Sequence, residues 1–200
     1  MAIVKEDVSG GYDVSFVDSL EKDYECPICL LAVRDPVQTP CGHSFCKTCF
    51  DQVAERQGRG REVECPLDKE KLATSEVFND MKVRRKVLSL KVKCTNKSSD
   101  SAEVCEWIRE LNYLQDHHNE CRFEIVGCPK DCGNIMQRCD VTNHTIFTCP
   151  RRLVTCGSCN MEVEMRDMEQ HNSFCPKFSI NCMLGCGKKV ERIDGQLADC

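Results

Sequence analysis

Cys26-Pro-Ile-Cys29, Cys41-Gly-His43-Ser-Phe-Cys46-Lys-Thr-Cys49 and Cys65-Pro-Leu-Asp68 follow one another between residues 26 and 68. Eight ligand-type side chains in this order interleave into two metal sites. Alternate pairs share an ion, so Cys26, Cys29, Cys46 and Cys49 hold one. Cys41, His43, Cys65 and Asp68 hold the other. Both sets are closed and four-coordinate, which is the pattern of structural zinc. The carboxylate of Asp68 stands where the eighth ligand falls due, and carboxylate oxygen is an accepted zinc ligand. The cross-braced spacing is that of a RING domain.

Downstream the chain repeats itself. Cys105, Cys132, Cys159 and Cys186 recur at a step of 27 residues, and His117, His144 and His171 recur at the same step. A fixed period of this kind marks serial units. Upstream and downstream cysteines complete three Cys-Cys-His-Cys fingers. These are Cys94, Cys105, His117 and Cys121; then Cys128, Cys132, His144 and Cys149; then Cys156, Cys159, His171 and Cys175. A fourth unit opens with Cys182 and Cys186, but the step from His171 lands on Ala198. Either Cys200 replaces that His after a local shift, or the chain ends inside a finger. His117 is preferred to His118 because it keeps the common step. Cys139 is the one cysteine outside the scheme and reads as a small buried residue.

Composition explains why metal is needed. The 41% hydrophobic fraction counts all 19 Cys, and aromatics are only 6%. Removing the cysteines leaves roughly 31% apolar residues, low for a packed domain of this length. Each 27-residue unit therefore depends on its ion for folding energy, about 10–16 kcal/mol apparent per structural zinc. The N-terminus shows no signal-peptide pattern and no run suits a membrane span. The expectation is a cytoplasmic chain with reduced thiols and no membrane insertion. The net charge of −5 opposes nucleic-acid binding. So does the acidic third finger, with Glu162, Glu164, Asp167 and Glu169.

The expected fold class is a set of small zinc-stabilised α+β domains: a cross-braced RING, a linker helix and a linear array of Cys-Cys-His-Cys fingers. The boundaries are an arm at 1–20, the RING at 21–78, the linker helix at 79–91 and fingers at 92–121, 122–149 and 150–175. An incomplete finger occupies 176–200. Tyr12, Val14 and Phe16 alternate as in a short strand or extended arm packing on the RING. Thr48 to about Gln57 reads as the RING helix, with Phe50 and Val53 inward. Asn79 or Asp80 can cap the linker helix, whose Val83, Val87 and Leu90 share one face. Thr95 to Ser101 reads as a polar, mobile loop. Leu114, Val141 and Met168 each stand three residues before a ligand His and back it as a miniature core.

In motif and order the chain resembles the TNF receptor-associated factor family. The segments that carry the likeness are Tyr24-Glu-Cys-Pro-Ile-Cys29, residues 37–46, Cys65-Pro-Leu-Asp68, Leu88-Ser-Leu-Lys-Val-Lys-Cys94 and residues 149–156. The sequence departs from the family by a long Cys94–Cys105 loop and a wide Cys49–Cys65 gap. The resemblance implies a RING-type E3 ubiquitin transferase without a nucleophile of its own, acting in cytoplasmic signal transduction and often building non-degradative ubiquitin chains. It also implies a missing C-terminal coiled coil and receptor-binding region, hence receptor or adaptor partners beyond this chain.

The expected mechanism is positioning of a ubiquitin-charged conjugating enzyme (E2) for attack by a substrate lysine. The contact residues would be Ile28, Leu30, Pro66, Leu67 and Lys69. The plainer reading is that the apolar ones among them only cover the zinc loops. Phe78 either packs on its own linker helix or pairs two RINGs as a homodimer. The basic run Lys82, Arg84, Arg85 and Lys86 is either a solvated helix face or a contact to the conjugating enzyme or ubiquitin. The alternative to a ligase is a non-catalytic RING and zinc-finger scaffold in receptor signalling.

Overall fold

The structure, a computed structural model, describes residues 10–58, 62–181, 187 and 189–192. The chain divides into a unit ending at Glu124 and one beginning at Ile125. The division falls between fingers 1 and 2, so the RING, the linker helix and finger 1 share one unit.

The N-terminal unit begins with an extended arm. Gly11 turns its backbone into the first zinc loop, and Tyr12 N–H bonds to Ala32 C=O at 2.8 Å. The arm continues as β1 (Ser15–Phe16). The RING proper follows with β2 (Pro36–Gln38), β3 (Ser44–Cys46) and helix α1 (Lys47–Arg56). The hairpin of β4 (Glu62–Glu64) and β5 (Lys71–Ala73) carries the second zinc loop at its tip. β6 (Phe78–Asn79) then adds to β2, with Val37 opposite Asn79 and Gln38 opposite Phe78.

Helix α2 (Met81–Leu88) is the linker. Asp80, not Asn79, caps it: its carboxylate accepts from the N–H groups of Lys82 and Val83. Such a cap stabilises a helix by about 0.5–2 kcal/mol. α2 leads into β7 (Lys91–Lys93) and β8 (Ile108–Glu110), the hairpin of finger 1. β1 pairs antiparallel with β7, giving a sheet ordered β1-β7-β8. The arm thus does more than pack on the RING. It also forms part of the finger 1 sheet.

One hydrophobic core runs through this unit. Val33, Val37, Phe45 and Phe50 of the RING join Val63, Leu72, Val87, Val92 and Leu111, with Phe16, Trp107 and Leu114 packed at its margin. Each such side chain contributes about 1.5–3 kcal/mol when fully buried. Val87 and Val92 come from α2 and β7, and Val83 and Leu88 pack against the same core, so α2 joins finger 1 to the RING. The helix is shorter than the expected 79–91: it ends at Leu88, and Leu90 lies beyond it, where its C=O accepts from Leu111 N–H at 2.9 Å instead of sharing a helix face.

Finger 1 closes with α3 (Leu114–Glu120). The second unit repeats the plan twice. Finger 2 has β9 (Ile125–Gly127), β10 (Ile135–Gln137) and α4 (Val141–Asn143), which passes into a π-helical turn over His144–Thr148. Finger 3 has β11 (Leu153–Thr155), β12 (Glu162–Glu164) and α5 (Met168–Phe174). A further hairpin, β13 (Ser179–Asn181) with β14 (Lys189–Glu191), opens a fourth unit. Leu114 and Met168 each begin the helix that carries the ligand His, Val141 begins the helix that runs into the π-helical turn carrying His144, and all three are half-buried.

The polar segment after Cys94 is not an open loop. Cys105 N–H bonds to Asn96 C=O at 2.9 Å, Ser98 N–H to Glu103 C=O at 2.8 Å, and Lys97 bridges Val104. The inserted residues prolong the hairpin, which composition alone does not reveal.

Candidate metal centres

Among the described residues, five groups of four side chains converge, each with its ligand atoms within 4.8 Å of one another. They are Cys26, Cys29, Cys46 and Cys49; Cys41, His43, Cys65 and Asp68; Cys94, Cys105, His117 and Cys121; Cys128, Cys132, His144 and Cys149; and Cys156, Cys159, His171 and Cys175. Cys182 and Cys186, and Cys200 beyond them, lie outside the described residues. The hairpin that brackets Cys182 and Cys186 is described, and its register, with Asn181 opposite Lys189, matches that of finger 2, with Gly127 opposite Ile135.

The donor geometry fits zinc. A tetrahedral ion with Zn–S of about 2.3 Å sets two sulfurs about 3.8 Å apart. Cys29 and Cys46 stand 3.9 Å apart, Cys94 and Cys121 4.0 Å, Cys128 and Cys149 3.8 Å, and Cys156 and Cys175 3.9 Å. A disulfide needs about 2.05 Å. The imidazole nitrogens lie 3.3–3.4 Å from the sulfurs of Cys105, Cys132 and Cys159. Cys, His and carboxylate donors in closed sets of four suit zinc in a structural role, holding loops in place.

The ligands reach these positions through one recurring turn. In finger 2 the first cysteine follows β9 directly and β10 begins three residues after the second cysteine. Finger 3 repeats this on β11 and β12, and Cys65 and Asp68 stand likewise between β4 and β5. The residue after the second ligand takes a positive φ: Leu30 at 59°, Lys69 at 63°, Gly133 at 87° and Asn160 at 58°. Leu30 N–H closes the turn on Cys26 C=O, Lys69 N–H on Cys65 C=O and Asn160 N–H on Cys156 C=O. The turn aims backbone N–H groups at sulfur, an arrangement that stabilises thiolate. At Cys156 the N–H groups of Cys159 and Ser158 pull the thiol down to about 6.

Other N–H donors come from outside the turns. Gly11 N–H reaches Cys29 Sγ at 3.3 Å, Arg34 N–H reaches Cys46 Sγ at 3.2 Å, and the Asn96 amide reaches Cys121 Sγ at 3.6 Å. No ligand-spacing rule points to Gly11 or Asn96. A Gly-Gly pair before the first Cys was the available signal for Gly11.

The second RING site differs from the rest. His43 presents Nδ1 to Cys41 and Cys65 at 3.4 and 3.5 Å, whereas the finger histidines present Nε2. Asp68 Oδ2 lies 3.3 Å from His43 Nδ1, the separation of two ligands of one ion. Glu70 N–H donates to Asp68 Oδ1 at 3.1 Å; this bond first, then that from Cys65, holds the carboxyl below its usual range.

Each finger holds its histidine differently. Trp107 stacks on His117 with centroids 4.4 Å apart and planes 13° apart, and burial lowers the His117 pKa. His118 is not in the ligand group. In finger 2 four residues separate His144 from Cys149, against three in fingers 1 and 3. The extra residue is absorbed by the π-helical turn. That turn brings Thr148 Oγ1 to 3.0 Å from His144 Nδ1, while Nε2 faces Cys132 at 3.3 Å. Cys139 is exposed, not buried as its size suggested, because it sits on the outer turn at Arg138–Asp140.

The expected contact residues lie outward on the two RING zinc loops. Ile28, Leu30 and Leu67 are exposed, Leu30 at 69% and Leu67 at 50%, and Pro66 is half-buried. Lys69 is exposed and its Nζ donates to Pro66 C=O at 3.2 Å. Phe78 is 53% exposed on β6. On α2, Arg84 pairs with Asp35 at 3.3 Å, and Lys82, Arg85 and Lys86 are exposed.

Comparison with known proteins agrees with this arrangement. The C3HC4-type zinc finger (RING finger) family matches residues 26–67 and the TRAF-type zinc finger family matches residues 117–171. The RING match ends one residue before Asp68, where the C3HC4 pattern calls for cysteine. TNF receptor-associated factor 6 of Mus musculus is 43% identical over 177 residues, 88% of this chain and 31% of the relative. The Homo sapiens protein of that name is 41% identical over 172 residues, 86% of this chain and 31% of its own length. The Xenopus tropicalis protein is 38% identical over 181 residues, 90% of this chain and 30% of the relative. The chain spans about a third of the length of these curated relatives. It therefore carries a RING finger and TRAF-type zinc fingers built on zinc, and over most of its length it is similar to TNF receptor-associated factor 6.

Proposed function

We propose that this chain is the ligase part of a RING-type E3 ubiquitin transferase and signalling adaptor. The observation that carries the reading is the set of apolar side chains, Ile28, Leu30 and Leu67, left exposed on loops whose backbones are pinned by metal ligands. A rigid apolar platform of this kind suits a conjugating enzyme, and holding its ubiquitin thioester in one orientation is the chemistry required. No residue of this chain need act as nucleophile. Zinc would fix the loops and take no part in the transfer. Pro66 and Lys69 would extend the platform, and Lys82, Arg85 and Lys86 would offer charge to the conjugating enzyme or ubiquitin.

In the same reading the exposed Phe78 pairs two RINGs as a homodimer. The chains built are of the non-degradative signalling type, the setting is cytoplasmic, and receptors or adaptors are engaged outside this chain. Among the described residues no helix is long and apolar enough to cross a membrane. One observation favours a weaker activator or a non-catalytic scaffold: Lys69 stands after the eighth ligand, bonds to its own loop and lacks the arginine fork.

Autoubiquitination with a panel of conjugating enzymes tests the proposal. Ile28→Asp should abolish transfer with zinc content unchanged, since a carboxylate desolvated against an apolar partner costs several kcal/mol and each ~1.4 kcal/mol is tenfold in affinity. Absence of transfer with every enzyme of the panel would leave the scaffold reading.

A further inference from the structure

We propose that the outer edge of the finger 1 hairpin, residues 104–110, takes up an extended basic segment of a partner protein as an added β-strand. The ladder of β7 and β8 does not stop at the metal ligands. It pairs Lys91 with Glu110 and Lys93 with Ile108. It continues through Cys94 N–H to Trp107 C=O, Cys105 N–H to Asn96 C=O and Ser98 N–H to Glu103 C=O. A single register therefore runs from residues 91–98 to residues 103–110.

In an antiparallel ladder alternate residues bond to the same neighbour. Glu103, Cys105 and Trp107 turn their backbone groups toward the β7 side. Val104, Glu106 and Ile108 turn theirs to the opposite side, where the sheet order β1-β7-β8 places no further strand among the described residues. The matching strands of fingers 2 and 3, β10 and β12, are three residues long. The insertion after Cys94 is what lengthens this edge.

Chemistry selects the occupant. Val104, Glu106, Ile108 and Glu110 share one face of the strand and all are exposed, while Trp107 on the other face stacks on His117. Lys91 stands opposite Glu110. Glu106 falls opposite Thr95 in the continued register; Lys93 and Lys97 stand diagonal to it on that face, and no lysine is directly opposite. A strand with lysine or arginine at alternate positions and aliphatic residues between them would complement Glu106 and cover Val104 and Ile108. An open edge of this kind is a template for strand addition, with main-chain bonds giving affinity and alternate side chains giving selectivity. A second copy of the same strand would crowd the carboxylates of both copies onto one face, which disfavours self-pairing.

The test uses the zinc-loaded 200-residue chain and two capped seven-residue peptides, one alternating lysine with valine and the other glutamate with valine. The lysine peptide should bind saturably, at least about tenfold more tightly than its counterpart, and slow amide exchange at Val104, Glu106 and Ile108. Ile108→Pro deletes an outward N–H and spares the ladder, so it should weaken binding at least about tenfold. Glu106→Lys keeps the backbone intact and should reverse the preference between the peptides. No saturable binding, equal binding of both peptides, or binding that leaves those three amides unprotected would overturn the proposal. Binding unaffected by either substitution would do the same.

Discussion

Gly11→Ala should uncouple the N-terminal arm from the RING. A Cβ at position 11 would lie 2.3 Å from Ala32 O and 2.8 Å from Leu31 Cβ, both on the strand-like exit of the first zinc loop. Backbone oxygen cannot rotate away, so the arm must retreat by about 1 Å to reach ordinary contact distance. That movement stretches the Tyr12 N–H bond to Ala32 C=O, now 2.8 Å, and the Gly11 N–H contact to Cys29 Sγ, now 3.3 Å. It also lifts the Tyr12 ring from the Arg34 guanidinium, 4.5 Å from its centroid. Two hydrogen bonds at about 1 kcal/mol each and a cation–π contact at about 0.5–1 kcal/mol give a loss of roughly 2–3 kcal/mol. For a unit of this size that lowers the melting temperature by on the order of 10 °C. The assay is thermal unfolding in zinc-replete buffer, with Gly157→Ala as the control because a Cβ there meets nothing within 4 Å. If Gly11→Ala melts with the control, the arm does not bear on stability and the reasoning fails.

Three further outcomes are expected. Asp68→Ala should weaken the second RING zinc by about two orders of magnitude in chelator competition, whereas Asp68→Cys should retain it; equal retention by both would show that Asp68 is no ligand. Thr148→Val should lower zinc affinity of finger 2 by about 10- to 100-fold, because the hydroxyl beside His144 Nδ1 fixes the ring with Nε2 toward the ion. An unchanged competition curve would refute that role. Cys139→Ser should leave ubiquitin transfer unaltered, since the reading needs no thioester on the ligase; loss of transfer with zinc intact would contradict it.

Much of the metal scheme could be read from spacing, because zinc demands four donors and the chain repeats them at a fixed step. The same logic explains what stayed hidden. Ligand spacing places Cys94 at the start of a finger. It cannot show that Val92, two residues earlier, is buried among RING side chains and paired with Phe16. Pairing between residues so distant depends on tertiary packing, for which a two-residue strand leaves almost no periodic signal. The segment from Thr95 to Ser101 misled for a related reason. Its polar side chains resemble those of a loop, but the register is carried by backbone hydrogen bonds that side-chain composition does not record. Position 148 became meaningful only through the π-turn, itself a consequence of one extra residue between His144 and Cys149.

Leu30 and Lys69 sit in left-handed backbone geometry that a residue with a Cβ ordinarily avoids, at a cost of about 1 kcal/mol or more. The turns around Cys26–Cys29 and Cys65–Asp68 are what impose it, and zinc held by their side chains would add to the N–H bonds that close them. A ligand that recognises the outward pose of Leu30 or Lys69 selects the metal-filled turn over the empty one. By linkage it must raise the affinity for zinc by the same factor as zinc raises its own. Occupancy of the two RING sites and occupancy of the loop surface are thus one equilibrium seen from two sides. A chelator titration run with and without a docked protein would measure the strength of that coupling.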